Sequence, residues 1–292
     1  MSGPSLGLLF SALAAIGFSA KAVFVKLAYH DPVDPVTLLA LRMALSMPFF
    51  MAAAWFSGKP ALAGRDWAAV IALGILGYYL ASLLDFLGLQ HVSAGIERLV
   101  LFLYPTLVVL ISAAVSRRAL QGREVASIAL SYAGIALVFF KAVGSGGDPS
   151  LGTLLVFGSA LSYALYLVGA GQVMARIGMT RFTSYASLVS CFAILIQFAA
   201  TRPLAALDLP LRVYGIALGM ALFSTVAPFF LLSAGIRLIG AGRAALVGSL
   251  GPVATIGLAH IFLGEAFTAW QAAGSLLVLA GVLSISLGRR SG

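Results

Sequence analysis

Apolar residues in this chain come in long unbroken runs, not in alternation with polar ones. Ten runs stand out, at about 5–27, 35–56, 67–88, 93–114, 124–141, 151–173, 182–200, 212–234, 243–262 and 267–287. A half-buried strand would show period two, so runs of this kind predict helices. About 17–25 apolar residues suffice to cross a bilayer as a helix, and even the short fifth and seventh runs reach that range. The pattern predicts an all-α integral membrane protein with ten transmembrane helices.

The pattern also repeats. Shifted by 147 residues, Leu84–Pro105 overlies Leu231–Pro252 with eight of 22 positions identical. Gly88/Gly235, Ala94/Ala241, Gly95/Gly242, Leu99/Leu246 and Pro105/Pro252 are among them, and Gly134 lies over Gly281 farther along. A period of nearly half the chain points to a duplication rather than to a short-repeat solenoid. The expected division is a first five-helix repeat over 1–143, a linker over 144–150 and a second repeat over 151–292. Within the linker, Gly144-Ser145-Gly146-Gly147-Asp148-Pro149 lacks the Lys-Ser/Thr of a phosphate loop and reads as a joint.

Composition supports lipid as the solvent. The 292 residues are 61% hydrophobic and 9% charged, where soluble proteins carry roughly 25% charged residues. Only helices and closed barrels satisfy their backbone in lipid. The net charge of +9 would suggest nucleic acid in a soluble protein. Here the basic residues sit singly at the ends of apolar runs and read as topology signals, so no nucleic-acid partner is expected. The lone Cys191 offers neither a disulfide nor a metal cluster, and no nucleotide motif is present, so no cofactor is implied. Ser19-Ala20-Lys21-Ala22 could pass for a signal-peptidase site. The run before it has no basic n-region, however, and its counterpart Gly152–Leu167 lies in mid-chain, so it is read as the first span.

Charge sets the orientation. With the N-terminus inside, the cytoplasmic segments hold Lys59, Arg65, Arg117, Arg118, Arg123, Arg176, Arg181, Arg237, Arg243, Arg289 and Arg290, and the outer ones only Lys26, Arg98, Lys141, Arg202 and Arg212. This favours a multi-pass inner-membrane protein with both termini in the cytoplasm. An odd number of spans per repeat inserts the second repeat upside down, so equivalent loops fall on opposite faces. Ser116-Arg117-Arg118 over Leu263-Gly264-Glu265 fits, the basic copy inside and the acidic copy outside. Two inverted five-helix repeats are the build of alternating-access transporters, with the substrate near the midplane between the halves.

Three stretches carry a family resemblance: Phe262–Ile285 (FLGEAFTAWQAAGSLLVLAGVLSI), LGLQHVSAGIERLVLFLYP ending at Pro105, and Arg42 in the second span. The chain resembles the EamA-type branch of the drug/metabolite transporter superfamily over almost its whole length. In segment order it is similar to YddG-like exporters of aromatic and other amino acids. The resemblance implies ten helices in two inverted repeats around a central cavity, and export of small metabolites. Glu97-Arg98 departs from the family pattern, because small apolar residues are usual there and Ala244-Ala245 stand there in the second repeat.

Ionisable groups inside spans are costly and therefore candidates for function. These are Lys21, Arg42, Asp85, Glu97, Arg98 and His260, all in the outer half on this topology and five of them in the first repeat. Two readings stay open. The first-repeat five could pair across helices one to four, closing an outer gate or holding the ammonium and carboxylate of an amino acid. Alternatively, Asp85, Glu97 and Arg98, each near the outer loop, reach the headgroups by snorkelling. Lys21 and Arg42, deeper in, favour a structural or gating ion pair. His260 reads as a hydrogen-bonded outer-end histidine.

Aromatic residues are the better guide to substrate. Tyr78 and Tyr79 lie in mid-span, Phe102 and Tyr104 in the fourth span, Tyr163 and Tyr166 in the sixth. Flat faces with a few hydroxyls suit an aromatic or long apolar side chain, although any single ring is as well explained by packing. Neighbouring helix residues point about 100° apart, so one of Tyr78 and Tyr79 should face the cavity. Ser82, Ser224 and Thr225 could add hydroxyls. Pro105 and Pro252, symmetry mates, are read as paired bends.

The sequence therefore reads as a secondary transporter exporting amino acids or similar metabolites, with the bilayer and a small-molecule substrate as partners. Whether protons are a coupling ion is left open. A multidrug or cationic-compound exporter of the same fold is the alternative. An intramembrane enzyme could rest only on Ser249 and His260, which lie on one helix some 16 Å apart at ~1.5 Å per residue.

Overall fold

The computed structural model describes residues 3–57, 62–143, 149–248, 250–266 and 268–288, and the joint at 144–148 lies outside them. The chain runs α1 (Gly3–Ala28), α2 (Pro35–Phe56), α3 (Gly64–Gly74), a π-helical turn (Ile75–Leu80), α4 (Ala81–Gly88), α5 (Ala94–Leu101), α6 (Tyr104–Val115) and α7 (Gly122–Val143). It continues with α8 (Ser150–Ile177), α9 (Met179–Thr201), a short 3-10 turn (Leu204–Leu207), α10 (Leu211–Ala221), a second π-helical turn (Leu222–Val226) and α11 (Ala227–Ile239). The last three elements are α12 (Ala241–Gly248), α13 (Gly251–Leu263) and α14 (Ala269–Gly288).

Among the described residues no strand forms, and seven helical stretches are long and apolar enough to cross a membrane. These are α1, α2, α3–α4, α5–α6, α8, α9 and α10–α11, while α13 and much of α14 form shorter apolar helices. The exterior is apolar: Phe56 and Leu211 are each 85% exposed and Trp55 is 68% exposed. Small hydroxyls are buried instead; some bond back to their own helix, as Ser46 does to the Arg42 carbonyl at 2.8 Å and Ser131 to the Ser127 carbonyl at 3.0 Å, and others cross, as Ser159 does to the Ala81 carbonyl at 2.7 Å.

The duplication is visible in the backbone. The two π-helical turns begin at Ile75 and Leu222, and α5 and α12 end at Leu101 and Gly248, in each case 147 residues apart. Proline explains the breaks. Pro105 and Pro252 are each the second residue of the helix that follows, where a missing N–H costs no hydrogen bond. Pro48, by contrast, stays inside the continuous α2.

Packing follows pairs that the duplication relates. α1 lies against α11 and α4 against α8; α2 pairs with α9 and α7 with α14. The last pair is close because its contact positions are glycine. A Cβ on Gly134 would come within 2.7 Å of the Gly274 carbonyl oxygen, and one on Gly281 within 2.6 Å of the Ser127 carbonyl oxygen. α1 occupies the middle of the bundle, touching α5, α10, α11, α12 and α13, so any charge on its inner face must find its partner inside the protein.

Candidate functional site

Lys21 is such a charge. Its Nζ lies 2.5 Å from Asp85 Oδ2 on α4 and 3.1 Å from Glu97 Oε1 on α5. Its side chain is 16% exposed, those of Asp85 and Glu97 2% and 0%. The headgroup reading therefore does not hold for the two carboxylates. They turn inward because the ammonium of the central helix lies there, and a buried carboxylate without a partner would be far costlier. One oxygen of each, Asp85 Oδ1 and Glu97 Oε2, is buried with no hydrogen bond.

Arg42 is 7% exposed and joins a different partner. Its Nε donates to Thr225 Oγ1 at 2.9 Å, and its guanidinium lies 5.5 Å from the Phe86 ring centre. The π-helical turn frees the Met220 carbonyl for the Thr225 hydroxyl at 3.1 Å, five residues back. Arg42 therefore ties α2 to the second repeat. His260 is exposed, and its Nδ1 lies 3.0 Å from the Glu265 carbonyl oxygen.

The aromatic residues form one connected series. Phe102 meets Tyr104 at 6.1 Å between ring centres, Tyr104 meets Tyr163 at 5.2 Å, and Tyr163 stacks on Tyr166 at 5.5 Å. Tyr166 then meets Tyr78 edge-on at 5.2 Å, with the two hydroxyls 3.0 Å apart. Tyr78, Tyr104 and Tyr163 are half-buried, whereas Phe102 and Tyr166 are buried. Tyr79 leaves the series and donates to Gln197 Oε1 on α9 at 3.0 Å. Ser224 is 1% exposed with an unbonded hydroxyl, and Ser82 is half-buried. Ser249 lies outside the described residues.

Glu265 was not among the sequence candidates, although it belongs to the Gly-Glu motif. Gly264, with φ of 66°, ends α13 in the left-handed region that favours glycine, and the chain turns back there. Glu265 then accepts from the Ala94 and Gly95 amides at 2.9 and 3.3 Å, capping α5 from the other repeat. Two more ties join the repeats at this end: Arg202 Nε to Asp34 Oδ1 at 2.9 Å, and Arg212 to Asp31 at 3.8 Å. Burial alone would push the Asp34 carboxyl up, but hydrogen bonds from Thr37 and Arg202 outweigh it and hold the group below the usual carboxylate range. At the opposite end Arg176 meets Asp66 at 2.7 Å. A cleft of about 360 Å³ also opens there, lined by Phe49, Phe56, Thr180 and Phe230 among others and holding no charged side chain.

Comparison with known proteins matches this architecture. The model of the EamA-like transporter family fits twice, over residues 5–140 and 150–287. Uncharacterized transporter YcbK of Bacillus subtilis (strain 168) is 33% identical over 276 residues, covering 89% of this chain and 86% of its own length. YyaM of the same organism, also an uncharacterized transporter, is 27% identical over 231 residues, 76% of this chain and 74% of its own. A solved structure described as "Crystal structure of protein" superposes with a TM-score of 0.65 over 99% of both chains at 20% identity, a likeness of fold. Two matches of one family model cover nearly all of the chain, and the chain belongs to the EamA-like transporter family.

Proposed function

We propose that this transporter exports small amphipathic metabolites, foremost aromatic and other apolar amino acids, across the inner membrane by alternating access. In this reading ten spans form two inverted repeats, residues 1–143 and 151–292, with both termini in the cytoplasm. The observation that carries the substrate class is the ring series from Phe102 to Tyr78, in which Tyr78, Tyr104 and Tyr163 are half-buried and carry hydroxyls while Phe102 and Tyr166 pack behind them. Such a surface stacks on a flat side chain and hydrogen-bonds a polar end.

The Lys21–Asp85–Glu97 cluster, the Arg42–Thr225 bond and the Glu265 cap would then be the outer gate, drawn closed. Opening to the outside would part them while the bends at Pro105 and Pro252 take up the movement. A cation exporter of the same fold needs a carboxylate free to meet its cargo. Asp85 and Glu97 are both engaged by Lys21, which favours the amino-acid reading.

Purified protein in liposomes preloaded with unlabelled amino acids tests this. Labelled phenylalanine, methionine, threonine and methyl viologen are offered outside, with and without a pH gradient. Exchange of labelled amino acids without a gradient is the expected result. Gradient-driven movement of methyl viologen alone would refute the reading.

A further inference from the structure

The cleft of about 360 Å³ at the Arg176–Asp66 end takes no part in the transport reading. Its volume falls in the range of ligand-binding clefts, roughly 300–1,000 Å³. Phe49, Ala53 and Phe56, spaced as one face of α2, line it from the first half of the chain, with Ser57 at the end of that helix. Thr180 of α9 and Phe230 of α11 line it from the second half. All of these helices belong to stretches long and apolar enough to cross a membrane, and Phe49, Phe56 and Phe230 are exposed. The cleft therefore opens on hydrocarbon.

Its mouth is polar and its charge has one sign. Phe50 meets Phe229 edge-on at 6.0 Å, so α2 and α11 lie side by side there. They also run the same way. α1 is antiparallel to α11, with Gly17 against Pro228 and Gly7 against Ile239, and α2 returns along α1. From the ring contact, Ser57 is seven residues along α2 and Arg237 eight along α11, a rise of about 10–12 Å on each. Arg237 is thus level with Ser57. It is exposed and, seven residues after Phe230, stands on the same helix face. Trp55, 68% exposed, marks the headgroup level at this height. α2, α9 and α11 contain no acidic residue. Their basic residues at this end are Arg237 and Arg181, which follows Thr180. The carboxylates described at this end are engaged elsewhere, Asp66 by Arg176 and Glu124 by Arg118.

From this arrangement we infer that the cleft is a binding site for an anionic phospholipid, one acyl chain lying between α2 and α11 and the headgroup at Arg237. Lipid tails are as apolar as the cleft, so the chain by itself gives no selectivity. The headgroup does: the guanidinium donates to phosphate oxygens as a charge-assisted pair. Ser57 spends its proton on the Ala54 carbonyl at 2.8 Å, whereas the Thr180 hydroxyl stands at the mouth as a further donor. A lipid seated there touches both halves of the chain and braces one against the other.

The test reads lipid contact by fluorescence. Trp55→Phe, Trp67→Phe and Trp270→Phe with Phe49→Trp leave one indole, in the cleft. A second protein keeps Trp270 alone, on exposed α14, as a reporter of bulk lipid. Each is placed in phosphatidylcholine liposomes in which brominated phosphatidylglycerol or brominated phosphatidylcholine is raised stepwise. The cleft indole should be half-quenched at about fivefold less phosphatidylglycerol than phosphatidylcholine, the preference one arginine near a headgroup confers. Trp270 should be quenched by the two alike. Arg237→Gln should bring the cleft ratio to about one, and Ala53→Phe, which fills the cleft, should do the same. Equal quenching in the cleft would overturn the site, as would a preference that Arg237→Gln leaves intact. Relief of the quenching by L-phenylalanine would give the cleft to a substrate and overturn the lipid. The wild type offers a check that needs no variant: in detergent, phosphatidylglycerol should raise its melting temperature and phosphatidylcholine should not. Equal effects of the two would overturn the proposal even where the variants do not fold.

Discussion

At the scale of single residues, one ammonium between two buried carboxylates decides the most. Removing Lys21 would take away the cation that bonds both Asp85 and Glu97, and breaking a buried pair costs about 3–5 kcal/mol. Lys21→Met should lower thermal stability in detergent by that order, and adding Asp85→Asn with Glu97→Gln should restore much of it. A Lys21→Met protein as stable as the wild type would contradict the pairing. Asp34 gives a pH signature. Its carboxyl is held below its usual range in the folded state, so its contribution is present above the unfolded value of about 4 and is lost as pH falls through the folded one. Arg202→Gln should weaken that acid sensitivity in melting curves taken between pH 3 and 6, whereas an unchanged profile would remove Arg202 from the account. The sequence named all three members of the Lys21 cluster, because charge inside an apolar run is conspicuous. It left headgroup contact open for Asp85 and Glu97, since distance from the loop says nothing about which face of the helix a side chain takes. Glu265 was passed over for a related reason: a loop acid looks like a surface charge until the N-terminus of α5 is brought to it.

Among the elements, the irregular ones are the most telling. Both π-helical turns and both helix breaks recur at the 147-residue period. Proline announced the breaks in the sequence. Nothing announced the π turns, because one extra residue in a helical turn leaves no periodic mark in so uniformly apolar a run. The close pairing of α7 with α14 was legible in part, since Gly134, Gly274 and Gly281 are small residues of the kind that let helices approach. The partner of each helix was not. Gly281→Ala would drive a methyl against the Ser127 carbonyl, a backbone atom that cannot swing aside. Overpacking of this kind costs about 1–3 kcal/mol, so the variant should melt measurably lower. Gly122→Ala, with open space around its Cα, should melt as the wild type does.

For the whole molecule, the proposal is that two related halves enter the membrane in opposite senses around one shared substrate surface. Composition and run length were enough to read a helical membrane protein, because lipid leaves a chain so few options. The approach of Arg98 to Gly251 was not legible, since it depends on how one half of the chain is laid against the other. The proposed opposed insertion can be tested directly. Ala119 and Ala266 are equivalent loop residues 147 apart, and both are exposed. Cys191 is the chain's one cysteine, so Cys191→Ser provides a clean background for Ala119→Cys or Ala266→Cys. A membrane-impermeant maleimide added to intact cells should label the cysteine at 266 and reach the one at 119 only after the membrane is opened. Labelling of both from the same side would contradict the inverted arrangement, and with it alternating access between the halves.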